Sequence, residues 1–181
     1  MKHQLIISIC RLLLFLCGTF IANAQNSGSK SVNIALPEVA LLDIEPNNET
    51  IILFFTAPSD AGMPLNNPNV NTTKWINYSS AISSIAPHRT ITAEIDQEIP
   101  SVSIRLQASN AIGGNGTLGT STGQVVLTTS PQTIINGIGG AYTGDGANNG
   151  HQLSISAEIS NYEQLIPANN QIITITYTIS N

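Results

Sequence analysis

Cysteine is absent beyond Cys17, and charge is scarce, with Asp, Glu, Lys and Arg making up 9% of 181 residues. A body without thiols has no cysteine nucleophile, no thiolate metal ligand and no disulfide. Basic residues are scarcer still. After Arg11 only Lys30, Lys74, Arg89 and Arg105 occur, four against eleven acids, a net of −7. That balance excludes the basic footprint that nucleic acid or an anionic membrane surface requires. Aromatics are 5% with a single tryptophan, and no apolar run reaches the roughly 20 residues of a membrane-spanning helix. The G-x-S-x-G, H-E-x-x-H, EF-hand and G-G-x-G-x-D patterns are all missing.

What is present begins with a leader. Lys2, His3 and Arg11 supply positive charge, Leu12–Ile21 is apolar, and Ala22-Asn23-Ala24 forms an A-x-A site before Gln25. This is the pattern of a secretory signal peptide cleaved between Ala24 and Gln25. The expected destination is the periplasm, the cell surface or the extracellular medium, with no membrane span after cleavage. Cys17 invites a lipoprotein reading, but Leu16 sits where a lipobox wants a small residue, so Cys10 and Cys17 read as plain leader residues. The expected organisation is a signal peptide over 1–24, a flexible Gly/Ser lead-in over 25–30 and one domain over 31–181.

Within that domain the dominant period is two. Gln171–Ile179 reads Q-I-I-T-I-T-Y-T-I, with Ile173, Ile175, Tyr177 and Ile179 on one face and threonines on the other. Alternating β-branched and aromatic residues predict a half-buried strand. Further strands are predicted over Val32–Leu36, Val39–Ile44, Lys74–Ser79, Arg89–Ile95, Ser101–Ala108, Gln124–Thr129, Thr133–Ile138 and Gln152–Ile159. Thr50–Thr56 is continuously apolar and reads as a central strand covered on both faces. Ala57–Thr73, Gly113–Gly123 and Gly137–Gly150 read as loops, from their Pro, Gly and Asn content. No helical period persists over three turns. The expectation is an all-β fold: a single antiparallel β-sandwich, immunoglobulin-like or pilin-like, of about eight to ten short strands.

Several short pieces carry a resemblance: W-I-N-Y-S-S at Trp75–Ser80, Arg89-Thr90-Ile91-Thr92 with Ile99-Pro100, G-I-G-G-A-Y-T-G-D-G at Gly137–Gly146, and the terminal T-I-T-Y-T-I. In these the chain resembles bacterial secreted β-sandwich proteins of the fimbrial-subunit and spore-coat-like kind. The resemblance implies a surface or appendage role and brings no catalytic residues with it. The cysteine pair common in fimbrial subunits is lacking.

Val32, Ile34 and Leu36, behind a flexible lead-in, have the alternation of a donor-type strand, one that completes the sheet of another subunit by backbone pairing. The complete-looking C-terminal strand favours instead pairing within its own domain. Trp75 and Tyr78 fall on opposite faces of a strand, so at most one could join an aromatic platform, and a lone tryptophan in a sandwich belongs in the core. Tyr142, Asp145 and Asn148 form the candidate ligand loop. Tyr142 is its exposed aromatic, while one Asp among amides falls short of the several carboxylates calcium prefers. These Gly, Asn and Asp residues read first as turn formers. Glu94, Asp96 and Glu98 alternate, but acids at a strand end read as a solvated edge before a catalytic pair. No catalytic residue, metal or cofactor is expected.

Two functional expectations follow. The first is a secreted, non-enzymatic surface or appendage protein with structural or adhesive work, acting through strand edges and loops on copies of itself or related surface subunits. The alternative is a carbohydrate-binding module that takes glycans with Tyr142 and the loops 57–73 and 137–150.

Overall fold

A computed structural model describes residues 3–4, 27–47, 49–167 and 171–181. The leader beyond Gln4, with both cysteines and the expected cleavage point, lies outside these residues. Two compact units are distinguished, residues 1–35 and 36–181.

Of the first unit, residues 27–35 are exposed and in no strand. The strand expected over Val32–Leu36 therefore does not form. Val32, Ile34 and Leu36 are 78%, 76% and 89% exposed. A two-residue period specifies a strand only when a partner supplies backbone bonds and apolar cover, and among the described residues neither is present.

The second unit is all-β. Its strands are β1 (Val39–Glu45), β2 (Asn71–Ala81), β3 (Arg89–Ile95), β4 (Val102–Ala108), β5 (Asn115–Ser121), β6 (Gln124–Val126), β7 (Gln132–Tyr142), β8 (His151–Ile159) and β9 (Ile175–Ser180). Every pairing is antiparallel, in the order β6-β4-β8-β2-β7-β3-β9, with β1 added to β2 and β5 added to β7.

Two strands of 11 residues each, β2 and β7, turn this path into a sandwich. β2 pairs with β8 through Ile76 and with β7 from Ser79. β7 pairs with β3 through Ile138 and with β2 from Ala141. Each long strand thus changes partner near its C-terminal end. One layer becomes β6-β4-β8-β2-β1, the other β9-β3-β7-β5. A single apolar cluster fills the space between them, with Leu106, Leu153, Ile155 and Ile76 from the first layer and Ile91, Ile134, Ile135 and Ile138 from the second. Each of these is 0–1% exposed, and each contributes roughly 1.5–3 kcal/mol of transfer free energy.

Three sequence expectations are corrected. Thr50–Thr56 is not a central strand. Its only backbone pairing among the described residues is the bridge from Thr56 to Asn66. Ile51 and Leu53 pack on the core, while Ile52 and Phe54 are 63% and 67% exposed. The central position belongs to β2, where Lys74, Trp75, Ile76, Asn77 and Tyr78 are all buried. The Gly113–Gly123 stretch contains β5, and Gly137–Tyr142 belongs to β7. β9 is an edge strand, bonded only to β3 among the named strands, though its expected alternation of half-buried and exposed residues is present.

The glycines of β5 explain why composition misleads there. Gly116 and Gly119 have φ of +92° and +73°, and a Cβ on either would strike the β7 backbone, at Gly140 or Asn136. They let β5 lie close against β7 across a register shift. Here glycine makes the strand possible instead of ending it.

Candidate functional site

Trp75, Tyr78 and Tyr142 lie on β2 and β7, the strands that exchange partners. Thr143, directly after β7, is fully buried, and its Oγ1 accepts from the Tyr78 backbone N–H at 2.9 Å. The Thr143 backbone N–H donates to the Tyr78 carbonyl at 3.1 Å. These bonds replace ladder bonds at the corner.

Beyond Thr143 the chain turns. Asn149 Nδ2 donates to the Asp145 carbonyl at 2.7 Å, and Asn77 Nδ2 from β2 donates to the Asn149 carbonyl at 2.8 Å. Asn148 has φ of +68°, the left-handed conformation asparagine tolerates. Asp145 and Asn148 are both exposed. No group of three or more His, Cys, Asp or Glu able to hold a metal ion occurs among the described residues. Asp145 and Asn148 therefore shape a turn, and Tyr142 is separated from them as the last residue of β7.

Tyr142 is 55% exposed and lies opposite both Ser79 of β2 and Asn115 of β5. It lines an open groove of about 450 Å³ together with Val39, Ala81 and Gly140. Of the other exposed aromatic residues, Phe54 belongs to the unpaired 50–56 segment. Tyr162, after β8, accepts a hydrogen bond from the Leu65 N–H through its hydroxyl and so ties down the 57–73 loop. The one stacked ring pair among the described residues is internal: Tyr78 and His151. Trp75, 7% exposed, is buried as expected, but Tyr78 at 4% is buried too, because β2 is covered on both faces.

Tyr78 and His151 form a polar island that sequence reading missed. His151 is fully buried, with Nδ1 2.7 Å from the Ser109 carbonyl and Nε2 3.2 Å from the Tyr78 hydroxyl. The nearby carbonyl makes Nδ1 the protonated nitrogen. The Tyr78 hydroxyl donates to the Leu118 carbonyl. Burial pushes the His151 pKa below its ordinary value, against the opposing pull of the Ser109 and Leu118 carbonyls. Burial likewise pushes the Tyr78 phenol upward. The island lacks solvent access, and each polar atom of its two side chains lies within hydrogen-bond distance of another group.

Arg89 is the second residue sequence reading missed in role. It is 3% exposed at the start of β3. Nε donates to Asn181 Oδ1 at 2.8 Å, Nη1 to Ser80 Oγ at 3.1 Å and to the Val39 carbonyl, and Nη2 to Glu38 Oε1 at 2.6 Å. One guanidinium thus clasps the start of β1, the end of β2 and the residue after β9. Its fixed fork of donors suits several acceptors at once, which an ammonium would not.

The three alternating acids fall on the end of β3 and in the segment just after it. Glu94 lies on β3 opposite Thr176, Asp96 Oδ1 accepts from the Thr174 N–H at 2.9 Å, and Glu98 is exposed. No helix among the described residues is long and apolar enough to cross a membrane. Architecture and site together define a β-sandwich with a polar corner network and a shallow apolar groove beside Tyr142. Comparison with protein-family models, curated proteins and solved structures finds no match.

Proposed function

We propose that the chain is a secreted, non-enzymatic structural or adhesive subunit of a cell surface or appendage, and that it works through strand edges and loops. The observation that carries this reading is the segment before β1. Val32, Ile34 and Leu36 are exposed in succession with a strand's alternation and, among the described residues, no strand partner. Such a segment offers unpaired N–H and C=O groups together with apolar side chains on one face, which is what edge-to-edge pairing with another chain uses. Between Ser31 and Leu36 there is no charge to oppose that pairing. The partners are further copies of this chain or related surface subunits, and the leader supplies the route outward.

Support for a non-enzymatic reading comes from the sandwich itself. The one fully buried histidine among the described residues is spent on a carbonyl and a phenol, and Asp96 is spent on the Thr174 N–H.

The test is the size distribution of the purified chain from Gln25, beside a form beginning at Pro37. The shorter form keeps Glu38 and Val39 for Arg89 and keeps all of β1. Ladders or filaments from the longer form and monomers from the shorter are expected. Monomers from both would overturn strand donation.

A further inference from the structure

A strand donated by one copy needs an edge on the next. We propose that this edge is the free side of β9, and that Ser31–Leu36 of a second copy pairs there; this rests on the assembly reading above.

Among the described residues the two layers end at four edges, β1, β5, β6 and β9. Sheet edges are ordinarily blunted by charge, proline, bulges or brevity. Three of the four carry such a device. β1 holds Asp43 and Glu45 and runs into Pro46. β5 is broken by a register shift and holds Gly116 and Gly119 at positive φ. β6 has three residues. β9 has none of these. Its sequence, I-T-Y-T-I-S, contains no charge, glycine or proline, and its six residues pair with β3 without a shift. Both ends are tied, by Arg89 to Asn181 and by Asp96 to Thr174.

The backbone groups on the free side can be named. The Asp96 N–H donates to the Thr174 carbonyl at 3.1 Å, while the Ile95 N–H turns the other way, to the Thr128 carbonyl at 3.0 Å. Continued along the antiparallel ladder, this alternation gives β3 the backbone groups of Thr176, Thr178 and Ser180. The N–H and C=O groups of Ile175, Tyr177 and Ile179 then face away from β3, toward no partner strand among the described residues. The side chains of the same three residues are half-buried against the core, whereas Ile91, Ala93 and Ile95 of β3 beside them are buried. The core-facing row loses its cover at β9 for want of a strand beyond it.

Ser31–Leu36 has what that position lacks. It has six residues, the length of β9, and no charge. Val32, Ile34 and Leu36 repeat the two-residue spacing of Ile175, Tyr177 and Ile179. Laid beside β9, these three side chains cover the half-buried row while their backbone bonds its free groups. One period sets both the pairing and the face.

The chain from Gln25 contains no cysteine, so introduced pairs report the contact directly. Ala35→Cys is combined in that chain with Thr176→Cys or Thr178→Cys on β9, Leu41→Cys on β1, Thr117→Cys on β5 or Val126→Cys on β6, all at exposed edge positions. Disulfide-linked ladders on a non-reducing gel are expected with a β9 cysteine and with none of the others. Ladders from another edge alone, or from every edge alike, would overturn β9 as the acceptor and leave strand donation standing. No ladder from any edge would also remove β9, and donation falls with it if the unsubstituted chain is a monomer. Backbone pairing is read separately by Ile179→Pro, which removes an outward N–H, beside Ile179→Ala, which loses packing but keeps that N–H. Assembly should be about fivefold weaker in the proline variant than in the alanine variant, the share of one backbone hydrogen bond. Equal assembly by the two would overturn backbone pairing at β9, and the cross-links decide alone if the proline variant does not fold.

Discussion

Tyr78 and His151 stack inside the sandwich with ring centroids 5.8 Å apart and planes 22° from parallel. Their polar atoms share one arithmetic problem. The single phenolic proton faces two acceptors, the Leu118 carbonyl and the unprotonated Nε2 of His151. A proton on Nε2 would complete the network, yet burial opposes it and prevails.

Acid should therefore weaken the fold through His151. Its folded pKa lies below the ordinary value of 6.5. Above that pH both folded and unfolded states hold a neutral imidazole, and the group contributes nothing. As pH falls through 6.5 the unfolded state gains a proton that the folded state refuses, so stability declines until the folded pKa is reached. The limiting slope for one proton is about 1.4 kcal/mol per pH unit. Urea midpoints between pH 8 and 5 should show this decline in the native chain and lose it in His151→Gln. His88→Gln, at an exposed position, should leave the decline in place.

Tyr78→Phe should cost about 1–3 kcal/mol, because it strips a donor from a buried carbonyl and leaves Nε2 without a partner. Its effect also has an alkaline signature. Burial holds the Tyr78 phenol above its ordinary 10, so above pH 10 the unfolded phenol ionises first and stability falls. Urea unfolding at pH 9 and 11 should show a smaller alkaline loss in Tyr78→Phe than in the native chain.

The all-β class and most strand positions were legible because alternation and turn chemistry are local signals. Arg89–Ile95 is predicted and found with the same bounds. What was not legible depends on what lies opposite. Nothing in T-I-I-L-F-F-T says whether a sheet will cover its second face, and Ile52 and Phe54 are left in water. The glycines that make β5 a strand look like loop residues until β7 is placed against them. Arg89 gave no signal at all, since its acceptors are 9 to 92 residues away in sequence. Tyr142 was legible as exposed, but its separation from Asp145 and Asn148 follows from where β7 ends.

The 50–56 segment allows a direct check of that reading. Leu53→Ala removes a side chain that packs on the core and should cost about 2 kcal/mol or more. Phe54→Ser alters an exposed ring and should stay within about 0.5 kcal/mol. Urea unfolding of the two variants separates them, and equal costs would mean that both faces of the segment are covered.

Arg89 separates ion pairing from backbone capture. Glu38 is 64% exposed by side chain, whereas the guanidinium is 4% exposed. Glu38→Gln therefore loses a pair screened by water and should cost less than about 1 kcal/mol. Arg89→Met leaves the Val39 carbonyl and Ser80 hydroxyl without a donor and should cost about 2–4 kcal/mol. Hydrogen exchange along β1 should quicken in Arg89→Met and stay near native in Glu38→Gln.

Gly119 and Gly140, both strand glycines, should respond in opposite directions to the same substitution. At Gly119 an alanine must hold a φ of +73° while its Cβ meets the Asn136 carbonyl and the Ile138 side chain. Backbone strain and crowding add, and the cost should exceed about 2 kcal/mol. At Gly140 an alanine enters open space on an ordinary strand backbone and should stabilise by roughly 0.5–1 kcal/mol, the usual gain of filling a strand glycine. Thermal unfolding of the two alanine variants measures the difference directly. A loss at both would mean that β7 needs a bare backbone along its whole length against β5. The opposed result would mean that β5 makes its demand at Gly119 and not at Gly140.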